Sequence, residues 1–293
     1  MPLVKLKDSL TGWHDVKDAA DILWRASLES DVGRLQTSLS NHYSDPGLTI
    51  QDLHTGINNS RRAVVISTKQ KITIAFEGSH PDEWYKNMWA DGKGPGWWEF
   101  PYPVYDENGH RIHSFYRDMW HGMRKAAFAA LDAAIDKIGE PKQIIITGFS
   151  MGGGVSILSF IGILEHIRKS YGSTSSRSQT WASDDKLGKL IQHITFAAVA
   201  AGDRGHYTML NSLYERHKIR AWDFMNHRDW TQHIHHFSFR SWRGYRYILP
   251  EAVVGRFNAE FGDQGHLILG YLKAAEWMLE NGTDQVKSAW EYE

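Results

Sequence analysis

The chain has 293 residues, of which 42% are hydrophobic and 23% charged, with a formal net charge of −1 and no cysteine. That length and composition suit a large core, and with no linker in view a single α/β domain over 1–293 is expected. The cysteine count excludes disulfides, thiol catalysis and cysteine metal sites, and the near-zero charge gives no bulk reason for binding nucleic acid or an anionic membrane surface.

Residues 1–7 lack the apolar core of a signal peptide, so a cytoplasmic protein is expected. Val16, Ala19, Ala20, Leu23 and Ala26 recur at helical spacing. They predict one helix from about residue 15 into the thirties, with Asp15 as its cap. Residues 47–60 are polar and turn-rich and read as a loop. The β-branched runs 63–68 and 71–76 read as two strands of a hairpin around Lys69 and Gln70. The second strand leads into Gly78 and Ser79. At a strand exit, a backbone amide and a hydroxyl of this kind can serve as oxyanion donors.

Residues 84–105 hold Trp84, Trp89, Trp97 and Trp98 among further aromatics, broken by Gly92, Gly94, Pro95 and Gly96. Two readings stay open for this segment: a mobile lid whose aromatic face covers an acyl pocket, or a rigid loop packed on the core. Phe115, Met119, Met123, Ala126, Ala127, Ala130, Ala134 and Ile138 form a helical stripe that Gly139 and Pro141 end. His113 at its start reads as structural.

The apolar run 142–147 reads as a buried strand, and 154–161 as a helix. Between them lies Gly148-Phe149-Ser150-Met151-Gly152, a G-x-S-x-G on a strand-to-helix turn, the setting a nucleophile elbow requires. Ser150 is the expected nucleophile. The amide of Met151, next in the chain and at the helix N-terminus, is the expected second oxyanion donor beside Ser79. Residues 144–164 carry no charge, yet five glycines, three serines and a threonine interrupt them, so a buried strand and helix are expected rather than a membrane span.

Residues 171–185 read as an exposed polar loop and 191–201 as a strand. Residues 204–217 read as a helix, 219–225 as a strand, and 235–249 as an aromatic hairpin. A final helix runs from Gly265-His266-Leu267 to about residue 279. Such alternation builds a mostly parallel central sheet with helices on both faces. Chain order in an α/β-hydrolase puts the acid after a strand past the elbow and the histidine after the acid. Asp203 and Asp229 both satisfy the first condition. His233, His235, His236 and His266 satisfy the second.

Five segments in order resemble the class 3 lipases, the group containing fungal triacylglycerol lipases and feruloyl esterases. They are residues 74–79 with Glu83-Trp84 behind them, residues 112–116, the elbow 148–153, residues 195–203, and Asn226-His227-Arg228-Asp229. The resemblance implies an α/β-hydrolase fold and a serine ester hydrolase of lipase type. It implies Ser150, Asp229 and His266 as the triad, Ser79 and Met151 as oxyanion donors, and Asp203 in a supporting position. Departures include Ala197-Ala198-Val199-Ala200-Ala201 in place of the family's Gly-x-Pro-Arg-Val, and Phe149 where the elbow frequently has histidine. No cofactor and no metal are expected. The expected partners are a small-molecule or lipid ester and, transiently, a lipid interface. The rival reading of His227, Asp229, His233, His235 and His236 as a metal site would make activity sensitive to chelators.

Overall fold

The computed structural model describes residues 10–55, 60–79, 103–226, 229, 231, 246–249, 265–281 and 287–288. Ten strands and seven α-helices are found among them. The main sheet runs in the order β1 (Thr49–Thr55), β2 (Ser60–Ser67), β3 (Lys71–Phe76), β6 (Gln143–Phe149), β7 (Ile191–Phe196), β8 (Arg220–Asn226), β9 (Arg246–Leu249) and β10 (Lys287–Ser288). Neighbours from β3 through β9 are parallel, whereas β1, β2 and β10 pair antiparallel at the edges. A separate ribbon pairs β4 (Pro103–Tyr105) with β5 (Arg111–His113). Continuous apolar runs such as Ile144-Ile145-Ile146 suit strands covered on both faces.

Each face has its own core. One is filled from α3 (Ser114–Ile138), α4 (Met151–Tyr171) and α6 (Arg204–His217), with α5 (Leu187–Leu190) at one end. The other is filled from α1 (Leu10–Leu28), α2 (Val32–Tyr43) and α7 (Ile268–Asn281), with α1 packed along α7.

Four expectations need correction. The N-terminal helix is two helices, because Asp31 caps α2 by accepting from the Arg34 amide at 2.8 Å while the buried Arg61 guanidinium takes the carbonyls of Ala26 and Glu29 at the end of α1. Asp15 caps nothing: it lies inside α1 and accepts from Gln192 at 2.8 Å. The polar stretch 47–60 contains β1, an edge strand in which only Ile50, Leu53 and Thr55 turn inward, with a bulge between Leu53 and His54. The apolar run 191–201 leaves the sheet after Phe196, because Ala197 adopts φ +50°, a left-handed conformation costing a non-glycine residue about 1 kcal/mol.

The loop 171–185 is exposed over most of its length, as expected. Its 3-10 turn Thr180–Ala182 buries Trp181 against Tyr171. Of the expected hairpin 235–249, residues 246–249 form β9, paired parallel to β8 and antiparallel to β10; the rest lies outside the described residues. Among the described residues no helix is long and apolar enough to cross a membrane.

Candidate active site

β6 delivers Ser150 at the C-terminal end of the parallel strands, where α4 begins. Ser150 adopts φ +56° and ψ −122°, a conformation that a side-chain-bearing residue holds only when its surroundings enforce it. The enforcement is visible on both sides of the turn. The Ser150 amide donates to Phe196 O at 2.9 Å, and its carbonyl accepts from Gly154 and Val199. A Cβ on Gly148 would stand 2.3 Å from the Gly152 carbonyl oxygen, and one on Gly152 would stand 2.3 Å from the oxygen of Phe76. The glycines therefore let the start of α4 press against both its own strand and the end of β3.

Three chain segments converge on the serine hydroxyl. His266 Nε2 lies 2.8 Å from Ser150 Oγ, and His266 Nδ1 lies 2.9 Å and 3.0 Å from the two oxygens of Asp229. In the tautomer that carries its proton on Nδ1, the ring donates to the carboxylate and leaves Nε2 to accept from the serine. Asp229 is fully buried. Its Oδ1 accepts from the Thr231 amide at 2.9 Å and the Thr231 hydroxyl at 2.6 Å, and its Oδ2 accepts from Tyr271 at 2.8 Å. The Tyr271 oxygen in turn accepts the Asn226 amide at 2.9 Å, and the Asn226 side chain donates to Gly265 O, one residue before the histidine. Burial, reinforced by the Asp229 charge, pushes the Tyr271 phenol well above its ordinary value, so it stays a donor.

The end of β3 is fixed beside the elbow. Glu77 donates its amide to Arg62 O, and its buried carboxylate accepts from Arg61 Nε at 2.6 Å. Ser79 follows, and its hydroxyl donates to Met151 Sδ at 3.3 Å, which sets residues 79 and 151 side by side. Met151 opens α4, where the first amides have no acceptor within the helix.

Other polar groups that the sequence brought forward do different work. Asp203 caps α6: one oxygen accepts from the His206 amide and the other from the Arg111 amide, both at 3.0 Å. Against the opposing effect of partial burial, these bonds hold its carboxyl below the ordinary carboxylate range. His113 stacks on Tyr116 at 4.0 Å and is buried. Asp223 accepts from Thr195 and from Arg246 Nε at 2.6 Å, while Arg246 also donates to Ala198 O. This buried pair fastens the loop after β7 behind the elbow. Trp84, Trp89, Trp97 and Trp98, with His227, His233, His235 and His236, lie outside the described residues. Among the described residues no three His, Asp or Glu side chains cluster as a metal site would require.

Sequence reasoning missed Thr231, Tyr271 and Arg246. The signal available for Arg246 was a charge opening the apolar run Tyr247-Ile248-Leu249. For Tyr271 it was a hydroxyl on the apolar stripe of the last helix, and for Thr231 there was none.

The family described as lipase (class 3) matches residues 73–239. Among solved structures the chain is similar to the native Rhizomucor miehei lipase propeptide complex, with 17% identity, a TM-score of 0.55, and 82% of this chain and 67% of that one covered. It is similar also to lipase II from Rhizopus niveus, with 14% identity, a TM-score of 0.53, and coverage of 78% and 77%. A triacylglycerol lipase from Penicillium expansum gives 12% identity, a TM-score of 0.51, and coverage of 82% and 80%. No curated protein sequence matches the chain. At these identities the solved structures speak for the fold, which is that of the α/β-hydrolases.

Proposed function

Because this chain belongs to the class 3 lipase family and is thereby a lipase-type ester hydrolase, we propose that it cleaves its ester through Ser150, His266 and Asp229 by way of an acyl-enzyme. The observation that carries the reading is the continuous bonded path from the Ser150 hydroxyl through both nitrogens of His266 to the buried Asp229 carboxylate. In the first step His266 Nε2 takes the serine proton as Oγ attacks the ester carbonyl. Asp229 keeps the imidazole in the required tautomer and stabilises the imidazolium that forms. Negative charge develops on the former carbonyl oxygen beside the start of α4, where the Met151 amide and the donors of Ser79 are the groups at hand. The imidazolium then gives its proton to the leaving alcohol. Water, activated by the same histidine, releases the acid and frees Ser150. Within each half-reaction His266 gives up the proton it takes, first from Ser150 to the leaving alcohol and then from water back to Ser150, so the chemistry calls for no cofactor. A lipid ester is the substrate class this family membership favours.

The test is Ser150→Ala in the full chain. Hydrolysis of p-nitrophenyl esters should fall by on the order of 10⁶-fold while thermal unfolding stays at the parental temperature. A fluorophosphonate should label the parent on Ser150 and leave the variant unlabelled by mass spectrometry. Retained turnover in Ser150→Ala would overturn the reading. Running the esters from C2 to C16 places the acyl preference.

A further inference from the structure

We propose that Phe149 is a positioning residue for the general base, and that its ring is the surface against which the His266 imidazole is held in its working plane. The inference rests on the triad reading above. The two hydrogen-bonded ends of the imidazole, Nδ1 on Asp229 and Nε2 on Ser150, fix the line through those atoms. They leave the ring free to rock about that line, and each departure from the plane bends both bonds together. A face contact is what stops the rocking. The Phe149 ring provides it, nearly parallel to the imidazole at 26° with centroids 4.8 Å apart.

The chain explains why this residue reaches that place. Side chains alternate along a strand, so Phe149 leaves β6 on the same face as Ile145, the face covered by α1 and α7. His266 arrives on that face two residues before α7 begins. The next residue, Ser150, turns out of the strand toward the same histidine. One elbow therefore carries both the group the base deprotonates and the plane the base leans on. The ring is itself wedged: Gly78 lies close enough that a Cβ there would stand 2.8 Å from Phe149 Cδ1, and Tyr271 meets the ring edge-on at 6.1 Å. A flat aromatic also favours the reaction's charged intermediate. The imidazolium formed during attack lies over a π face, which attracts a cation.

Phe149→Ala, Phe149→Leu and Phe149→Tyr in the full chain separate this role from simple space-filling. The readouts are kcat and KM on p-nitrophenyl butyrate, the second-order rate of inactivation by a fluorophosphonate, and the melting temperature. Leucine keeps most of the volume without the plane, and tyrosine keeps the plane. Phe149→Leu is expected to lose about tenfold in kcat and in inactivation rate with KM unchanged, as slight misplacement of a catalytic group does. Phe149→Tyr is expected to restore both. Should Phe149→Ala fail to fold, the leucine and tyrosine variants decide alone. Full kcat in Phe149→Leu with only a lower melting temperature overturns the proposal, and so does a raised KM at unchanged kcat. If the parent enzyme itself resists the fluorophosphonate, the fault lies with the triad reading and not with Phe149.

Discussion

The elbow and the acid–base arm reach the same hydroxyl by opposite means. The elbow spans seven consecutive residues from Gly148 to Gly154 and is shaped by missing side chains: glycine after glycine removes atoms so that backbone can touch backbone. The arm is assembled from Asn226, Asp229, Thr231, His266 and Tyr271, joined across up to 45 positions by side-chain hydrogen bonds. One is rigid because nothing else fits. The other is rigid because every lone pair of a buried carboxylate is occupied, and an incomplete set would be costly there. The comparison teaches that Ser150 is placed by local geometry and His266 by long-range bonding, so the two should fail differently under substitution.

The largest contrast is expected at the acid. Asp229→Asn cannot hold the imidazole in the same tautomer and should lower kcat by on the order of 10⁴-fold. Asp203→Asn, at the start of α6, keeps a capping side chain and should leave kcat near the parental value. Steady-state kinetics on one short-chain ester measures both, and a worse defect at Asp203 would mean that the arm has been built from the wrong acid.

Next comes Gly152→Ala. Its methyl would meet the backbone oxygens of Phe76 and Glu77 at 2.3 Å and 2.4 Å, atoms that no rotamer change can move aside. About 3 kcal/mol of stability should be lost, read by urea denaturation, with activity falling in step because the elbow itself must shift. The smallest effect is expected at Tyr271→Phe. It removes the donor to Asp229 Oδ2 and the oxygen that accepts the Asn226 amide. One such loss costs about 1–2 kcal/mol, so kcat/KM should drop roughly tenfold. If Gly152→Ala spared stability, or Tyr271→Phe spared activity, the division between a steric elbow and a bonded arm would not hold.

The same division governs what could be read in the chain before its structure. Ser150 was plain, because a strand, a tight glycine turn and a helix lie side by side in the sequence. The long helix α3, α6 and most central strands were plain for the same reason: periodicity is local. By pattern alone the acid stayed open between Asp203 and Asp229 and the base among four histidines, because hydrogen bonds across dozens of residues leave no spacing to read. Resemblance to a family narrowed them. β1 was missed because an edge strand with one wet face looks like a polar loop. The strand 191–201 was read too long because an alanine in left-handed conformation looks like any other alanine. Arg61 and Glu77 sit in apolar surroundings as an ion pair, and nothing in the sequence tells which carbonyls the arginine will take.

The face of the sheet covered by α1 and α7 carries a consequence in time. A chain leaves the ribosome N-terminus first, so α1, Ser150 and Asp229 all emerge before His266. The surface on which α7 seats is built from earlier parts of the chain, α1 with Phe196, Phe224 and their neighbours. Residues 265–281 supply both the His266 hydrogen bond to Ser150 and the α7 side chains that complete this core. Among the described residues α7 thus closes this face of the sheet, and the segment leading into it brings His266 to Ser150.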